Sequence, residues 1–393
     1  MNLQELRAPA EGAEYSGGQS LSEVQRHISR IDWSFIDRQR APGIEAIHPY
    51  PAKFIGDIPR ALLGALPLPP KTLVFDPFAG SGTTLLEAQR LGLASVGVDL
   101  NPIACLIARV KTAKTPAGLL EKALQIGAAA RKNLAPLRWS IPNVDHWFKS
   151  DVQGAIAALL QEINGVRKGV THDALRLALS SILVRVSNQD SDTRYAAVEK
   201  GISKQDVFEQ FEGAIEKVNK ALLARDWGQP PATVIEANTL ALSPRDLPGR
   251  VGLVITSPPY PNAYEYWLYH KYRMWWLGFD PLAVKEQEIG ARAHFFKREH
   301  HTADNFWAQM RGTFKLIDGV LVKHGYACFV IGRSKIHGVV IDNADIIQAV
   351  AAERGFGVVS RFERVISASR KSFNLAHANI KTETVIVLQK SKV

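Results

Sequence analysis

The chain has 393 residues, 46% of them hydrophobic and 22% charged, which fits a soluble globular protein of one large domain with an insertion, or of two domains. No apolar run nears the roughly 20 residues that span a bilayer. The first 20 residues lack a secretory apolar core, and two cysteines, Cys105 and Cys328, are too few for a disulfide framework or a cysteine zinc site, so the cytoplasm is the expected compartment. A net charge of +10 favours a polyanionic partner, with an ordinary basic enzyme as the alternative.

In chain order, residues 1–20 are rich in Gly, Ala and Ser and read as a flexible tail. Leu21, Val24, Ile28 and Ile31 recur at helical spacing. In HPYPAKF, His48 to Phe54, the prolines impose an extended course, and Ile58 to Leu66 then reads as an amphipathic helix. Thr72–Phe75 is a buried strand, followed by DPFAGSGTT and a helix from Leu85 to Leu91. Gly80 and Gly82 remove the Cβ atoms that would block close approach of a ligand, and the helix N-terminus offers free N–H groups. A second strand, Ser95–Val98, ends in Asp99, close to the spacing after Gly80 at which an acid holds ribose hydroxyls. Asp76, at the end of the first strand, can pair with a ligand ammonium. The third glycine of a dinucleotide fingerprint is missing, and no Lys-Ser/Thr follows as in a phosphate loop. The pattern therefore favours an adenosine ligand with an amino-acid tail over NAD or ATP.

Residues from about 103 to 228 read as mostly helical, with spans Leu119–Arg131, Val152–Ile163, Ala174–Val186 and Val207–Leu223. A polar loop is expected at Ser187–Tyr195, where Asp192, Arg194 and Tyr195 are candidate site residues. Strands resume at Ala232–Ile235 and Val251–Ile255. The second runs into Thr256-Ser257-Pro258-Pro259-Tyr260, where two prolines forbid continuation of the strand. The result is a stiff loop carrying a hydroxyl, free carbonyls and one ring, suited to a planar group with an exocyclic amine; a strand-ending turn with a core tyrosine is the plainer alternative. An aromatic helix is expected next. Lys285–His301 then reads as a polar, basic stretch that combines Arg292, Lys297 and Arg298 with Phe295 and Phe296, a mixture that suits nucleic-acid contacts and equally a solvated loop. Helices at Phe306–Leu321 and Asn343–Arg354, strands at Tyr326–Ile331 and from Val358, and a last strand at Thr384–Leu388 complete the chain. A closing antiparallel hairpin is expected, with Phe373 in its basic loop.

DPFAGSGT, TSPPY and HPYPAKF together resemble the motifs of the amino-methyltransferases, enzymes that use S-adenosylmethionine (SAM) to methylate exocyclic amines of nucleobases. The resemblance implies an α/β, Rossmann-like SAM-dependent methyltransferase fold: a mostly parallel sheet with a C-terminal antiparallel hairpin and a helical insertion. It divides the chain into a tail (1–20), a first part of the catalytic SAM-binding domain (21–110), a helical insertion (111–229) and a second part with the SPPY loop (230–393). It assigns cofactor contacts to Lys53, Asp76, Phe78, Ala79, Gly80, Gly82, Thr83, Asp99 and Asn238, the last standing where the family often has an aspartate. Catalysis falls to Ser257, Pro258, Pro259 and Tyr260. Arg292, Lys297, Arg298 and Phe373 are the candidate DNA contacts.

The chemistry agrees with the resemblance. A base amine is a poor nucleophile until an acceptor pulls on its hydrogens, a role for Ser257 Oγ and the Pro258 carbonyl. SAM is already activated, so in-line transfer needs positioning and no covalent intermediate. A base in duplex DNA must be flipped out and held by stacking, first on Tyr260. Serine at the first motif position is more typical of cytosine-N4 than of adenine-N6 enzymes. The expectation is therefore a site-specific cytosine-N4 DNA methyltransferase with double-stranded DNA as partner, paired with a cognate restriction enzyme or standing alone, and with no metal. Adenine-N6 methylation, an RNA methyltransferase and an inert SAM- or DNA-binding partner subunit are the alternatives.

Overall fold

The computed structural model describes residues 20–35, 43–52, 54–134, 136, 140–192, 194–225, 228, 230–261, 265–296, 301–366 and 382–391. The expected tail at 1–20 therefore lies almost wholly outside the described residues, as do Lys53, Lys297, Arg298 and Phe373.

Eleven strands occur among the described residues: β1 (Leu73–Asp76), β2 (Ser95–Asp99), β3 (Gln189–Ser191), β4 (Arg194–Ala197), β5 (Ala232–Glu236), β6 (Val251–Thr256), β7 (Leu321–Ile331), β8 (Ser334–Ile336), β9 (Val339–Ile341), β10 (Phe356–Val365) and β11 (Thr382–Lys390). Seven of them form one sheet in the order β10-β11-β7-β6-β1-β2-β5. The pairs β1–β2, β1–β6, β2–β5 and β6–β7 are parallel, while β11 runs antiparallel to both β7 and β10. The fold is thus the mixed α/β sheet expected, mostly parallel and closed by an antiparallel pair.

Side-chain alternation along the strands builds two cores on opposite faces. Phe75, Val254 and Phe329 join the helices Ala303–Val320 and Asn343–Ala352 on one side. Val74, Leu253, Ile255 and Cys328 join Leu21–Ser29 and Asp57–Ala65 on the other. Strands buried on both faces read as continuous apolar runs, which is why Val251–Ile255 was legible. A third core joins the helix Pro102–Thr112 to the helices Leu119–Lys132, Ser150–Asn164, Val170–Ile182 and Lys204–Leu223, and to Trp267 and Trp276 from the segment after β6.

Three local expectations need correction. The polar stretch at 187–195 is no simple loop: it contains β3 and the start of β4, the two strands paired antiparallel with Gln189 opposite Ala197. Only Gln189 in β3 is buried, so the period-two signal is missing. The aromatic stretch forms two short helices, Tyr266–Tyr269 and Lys271–Trp276, broken at His270. The polar stretch from Lys285 carries the end of one helix, Pro281–Gln287, and all of another, Arg292–Phe296. Phe295 there is a core residue, only 4% exposed, and cannot serve as a stacking platform.

Candidate functional site

In a parallel sheet the strand ends all point one way, and neighbouring strands lie about 4.8 Å apart. The ends of β6, β1, β2 and β5 therefore bring Ser257, Asp76, Asp99 and Glu236 side by side along one edge, where open α/β sheets bind ligands.

Asp76 is 2% exposed. Its Oδ1 accepts a hydrogen bond from the Phe78 amide at 3.1 Å and from the Thr256 hydroxyl at 2.7 Å. The second bond ties the residue preceding Ser257 to the start of the glycine loop. Burial raises the Asp76 carboxyl to about 6, against the lowering effect of its hydrogen bonds to Thr256, Thr84 and Phe78.

The glycine loop is tied to β2 through Ala79 N–H to the Val98 carbonyl, 2.8 Å, and closes on itself through Gly82 N–H to the Ala79 carbonyl, 2.8 Å. Gly82 has φ +78°, and a Cβ there would lie 2.8 Å from the Ala108 Cβ, so the loop can lie this close to the next helix only as glycine. Gly80 has φ +50° and faces the Tyr50 ring, whose hydroxyl would stand 3.3 Å from an added Cβ. Tyr50 brings the HPYPAKF segment to the loop. Its ring stacks on Tyr266 at 5.8 Å, and so joins that segment to the residues after TSPPY.

Asp99 accepts from the Gly80 amide through Oδ2 and from the Asn101 amide through Oδ1, both at 2.8 Å. It is half-buried, and desolvation raises its carboxyl to about 6. A carboxylate has about four acceptor positions, so these two bonds leave capacity for a ligand hydroxyl. Asn238 caps the turn after β5 by accepting from the Leu240 amide at 3.0 Å, and its amide donates to Gln287 at 3.3 Å. Phe78 and Tyr260 are partly buried against the same core. Arg292 is exposed at the start of its helix, well placed for solvent-side contacts.

Sequence reasoning missed Glu288. This carboxylate is 6% exposed and accepts the backbone amides of Tyr266 at 2.8 Å and Trp267 at 2.7 Å. Burial pushes it up to about 8, with Asp99 and Glu265 adding to the rise. Lys111 was missed as well: it is fully buried and donates to Ser81 of the glycine loop at 3.2 Å. Nothing in local periodicity marks either residue. Both cysteines are buried, and burial pushes both thiols up.

Residues 16–110 match the DNA methylase family model that covers N6 and N4 enzymes. That stretch includes Tyr50, DPFAGSGT and Asp99; TSPPY lies beyond it. Three curated relatives are similar. Type II methyltransferase M.MjaII of Methanocaldococcus jannaschii is 35% identical over 100 residues, 24% of this chain and 19% of that protein. M.MvaI of Kocuria varians is 24% identical over 55% of this chain and 53% of its own length. M.BsoBI of Geobacillus stearothermophilus is 23% identical over 60% and 53%. The chain thus spans about half the length of two of these relatives and a fifth of the third. Among solved structures, an rRNA methyltransferase of Streptomyces viridochromogenes aligns at 13% identity over 96% of both chains with a TM-score of 0.32, a superposition too loose to bear on fold or substrate. The resemblance to the N6/N4 DNA methyltransferases read from the three motifs is supported by the family model, over the stretch that holds HPYPAKF and DPFAGSGT, and by the three Type II methyltransferases. No helix among the described residues is long and apolar enough to cross a membrane.

Proposed function

We propose that the protein is a site-specific DNA methyltransferase that moves a methyl group from SAM to the N4 amine of cytosine. The observation that carries this reading is the 2.7 Å hydrogen bond from Thr256 to Asp76, which couples the TSPPY loop to the glycine loop across adjacent parallel strands. The residues present fit the cofactor. Gly80 leaves a cradle beside Tyr50 that a Cβ would narrow, Asp99 keeps free acceptor positions, and Asp76 is a buried carboxylate suited to a cationic group. When bound, SAM supplies a methyl group already activated on its sulfonium.

The chain's own residues do the rest. Asp99 receives ribose hydroxyls, Asp76 faces the ligand's charged end, and Phe78, Ala79, Gly82 and Thr83 line the approach, with Asn238 at its margin; Lys53 is a further cofactor contact assigned from the sequence motif alone. Ser257 Oγ and the Pro258 carbonyl accept the hydrogens of the target amine, so the nitrogen lone pair leaves conjugation and can attack. Pro259 stiffens the loop, and Tyr260 offers a face to the flipped base. Arg292, with Lys297, Arg298 and Phe373, contacts the DNA. Attack at cytosine C5 needs a thiolate, and thiols buried and raised as Cys105 and Cys328 are do not supply one. The names of the three relatives, all Type II methyltransferases, support a cognate restriction enzyme as a partner.

The test is expression in a methylation-free host, with the host DNA digested to nucleosides for mass spectrometry. N4-methylcytosine is expected, and none from the Ser257→Ala and Tyr260→Ala variants. N6-methyladenine instead would show that the serine was over-read. Absence of both, from a protein that binds no SAM in calorimetry, would end the reading.

A further inference from the structure

The segment that follows the helix Pro281–Gln287 touches the catalytic loop at two places. Gly290 adopts φ +74°, and a Cβ built there would lie 2.6 Å from the Tyr260 carbonyl oxygen, 2.8 Å from its carbon and 3.2 Å from the Pro261 nitrogen. These are backbone atoms, which cannot swing aside as a side-chain tip can. Two residues earlier, Glu288 accepts the first amides of the helix Tyr266–Tyr269, from Tyr266 at 2.8 Å and Trp267 at 2.7 Å. These amides have no partner within that helix. A third bond runs in the opposite sense: Glu265 Oε1 accepts the Ala293 amide at 3.1 Å. The chain is thus pinned just before and just after residues 262–264, with Ser257–Tyr260 on one side of them and Tyr266 on the other.

We infer that Glu288 and Gly290 form a positioning clamp for the catalytic loop: Gly290 sets the height of the Tyr260 peptide, and the Glu288 carboxylate fixes the exit of the loop through two amides. Neither residue touches the transferred group. The clamp also reaches the cofactor side, because Tyr266 stacks on Tyr50, and Tyr50 covers Gly80. It therefore couples the register of the acceptor loop to the wall of the cofactor cradle. A shift of about 1 Å in such a loop can cost on the order of 100-fold in rate.

The inference rests on the methyltransferase reading for its kinetic consequence and on geometry alone for the clamp itself. Two measurements keep these apart. Hydrogen exchange on the intact wild-type protein and on Glu288→Gln reads the clamp. Glutamine is nearly isosteric with glutamate but has one acceptor oxygen in place of two, so the amides of Tyr266 and Trp267 are expected to exchange at least 10-fold faster. Unchanged exchange overturns the clamp, whatever the activity. Single-turnover transfer from labelled SAM to unmethylated duplex DNA, alongside the dissociation constant for SAM, reads its consequence. Glu288→Gln and Gly290→Ala are expected to lose at least 10-fold in transfer rate, with SAM affinity changed less than threefold. Equal losses in both quantities would reveal a general folding defect and overturn the positioning role.

A pH profile separates positioning from mere support. Glu288 is faced by Asp99 at the end of β2, by Glu265 and by the Tyr50 phenol, and Lys285, on the helix that Glu288 ends, lies over the Trp267 ring. Only the ionised carboxylate accepts both amides fully. Transfer by the wild type should therefore fall as pH drops through about 8, and the Glu288→Gln variant should lack that limb. An identical profile in the two proteins overturns the assignment to Glu288. A wild type that transfers no methyl group at all would fault the methyltransferase reading instead, and the exchange measurement would still decide the clamp.

Discussion

The two halves of the site are built differently. The glycine-loop half lies within one strand–helix–strand unit, from Asp76 to Asp99, and much of its hydrogen bonding is local: Asp99 to Gly80, Asp76 to Phe78, Ala79 to Val98; Thr256, Lys111 and Tyr50 reach it from elsewhere in the chain. The half around TSPPY, the proposed catalytic loop, is assembled from distant pieces. Ser257 and Tyr260 follow β6, Tyr266 and Trp267 come five and six residues beyond Pro261, and Glu288 and Gly290 return from the end of another helix to hold them. A ligand pocket for a common cofactor can be a compact unit of backbone amides. A loop that must meet one atom of a variable substrate needs bracing from outside itself. The difference teaches that the first half carries most of its backbone frame within itself and is braced at a few points from outside, whereas the second depends on the packing of the whole C-terminal part.

The sharpest break in this comparison is Ser257→Ala. It removes an acceptor from one half and touches nothing in the other. Transfer should fall by about 100- to 1000-fold, the scale of losing one such group in an active site, while calorimetric SAM affinity stays within threefold. A parallel loss of affinity would mean that the two halves are not separable.

Asp76→Asn acts at the join. Asparagine keeps an oxygen for Thr256 and Phe78 but buries no charge. Because burial raises Asp76 from 3.8 to about 6 in the folded protein, its stabilising contribution is full below about pH 4 and is lost as pH rises through about 6. At pH 8 the ionised group then costs about 3 kcal/mol, taking 1.4 kcal/mol per pH unit. The variant should melt at or above the wild-type temperature at pH 8, lose that advantage below pH 4, and bind SAM at least 10-fold more weakly. A variant markedly less stable at pH 8 would show that the buried charge is compensated in the free protein.

Arg292→Ala is the mildest probe, since this exposed side chain belongs to neither half. Duplex DNA affinity should fall by less than about 10-fold and the salt slope by about one unit, with SAM affinity unchanged. An unaltered salt slope would remove Arg292 from the DNA contacts.

Much of this arrangement was legible beforehand, and the reasons are physical. β1, β2, β5 and β6 are short, apolar and bounded by turn residues, so composition alone marks them. Parallel pairing then places Asp76, Asp99 and Ser257 on one edge, because right-handed crossovers leave few alternatives. The hairpin β3–β4 escaped notice because its residues are polar and mostly exposed. Phe295 was misread because a basic neighbourhood in sequence says nothing of which way one ring turns.

What the sequence by itself determined is the local chemistry: the positive-φ glycines of the loop, the prolines that stop β6, and the alternation that gives the sheet two apolar faces. These depend on steric limits and periodicities acting over a few residues. Only the tertiary structure decided that Thr256 bonds to Asp76, that Tyr50 covers Gly80, and that Gly290 abuts the Tyr260 carbonyl. Each joins residues from separate parts of the chain. Such contacts arise when whole layers pack to common density, and no local pattern encodes which side chain or which peptide will fill the last gap.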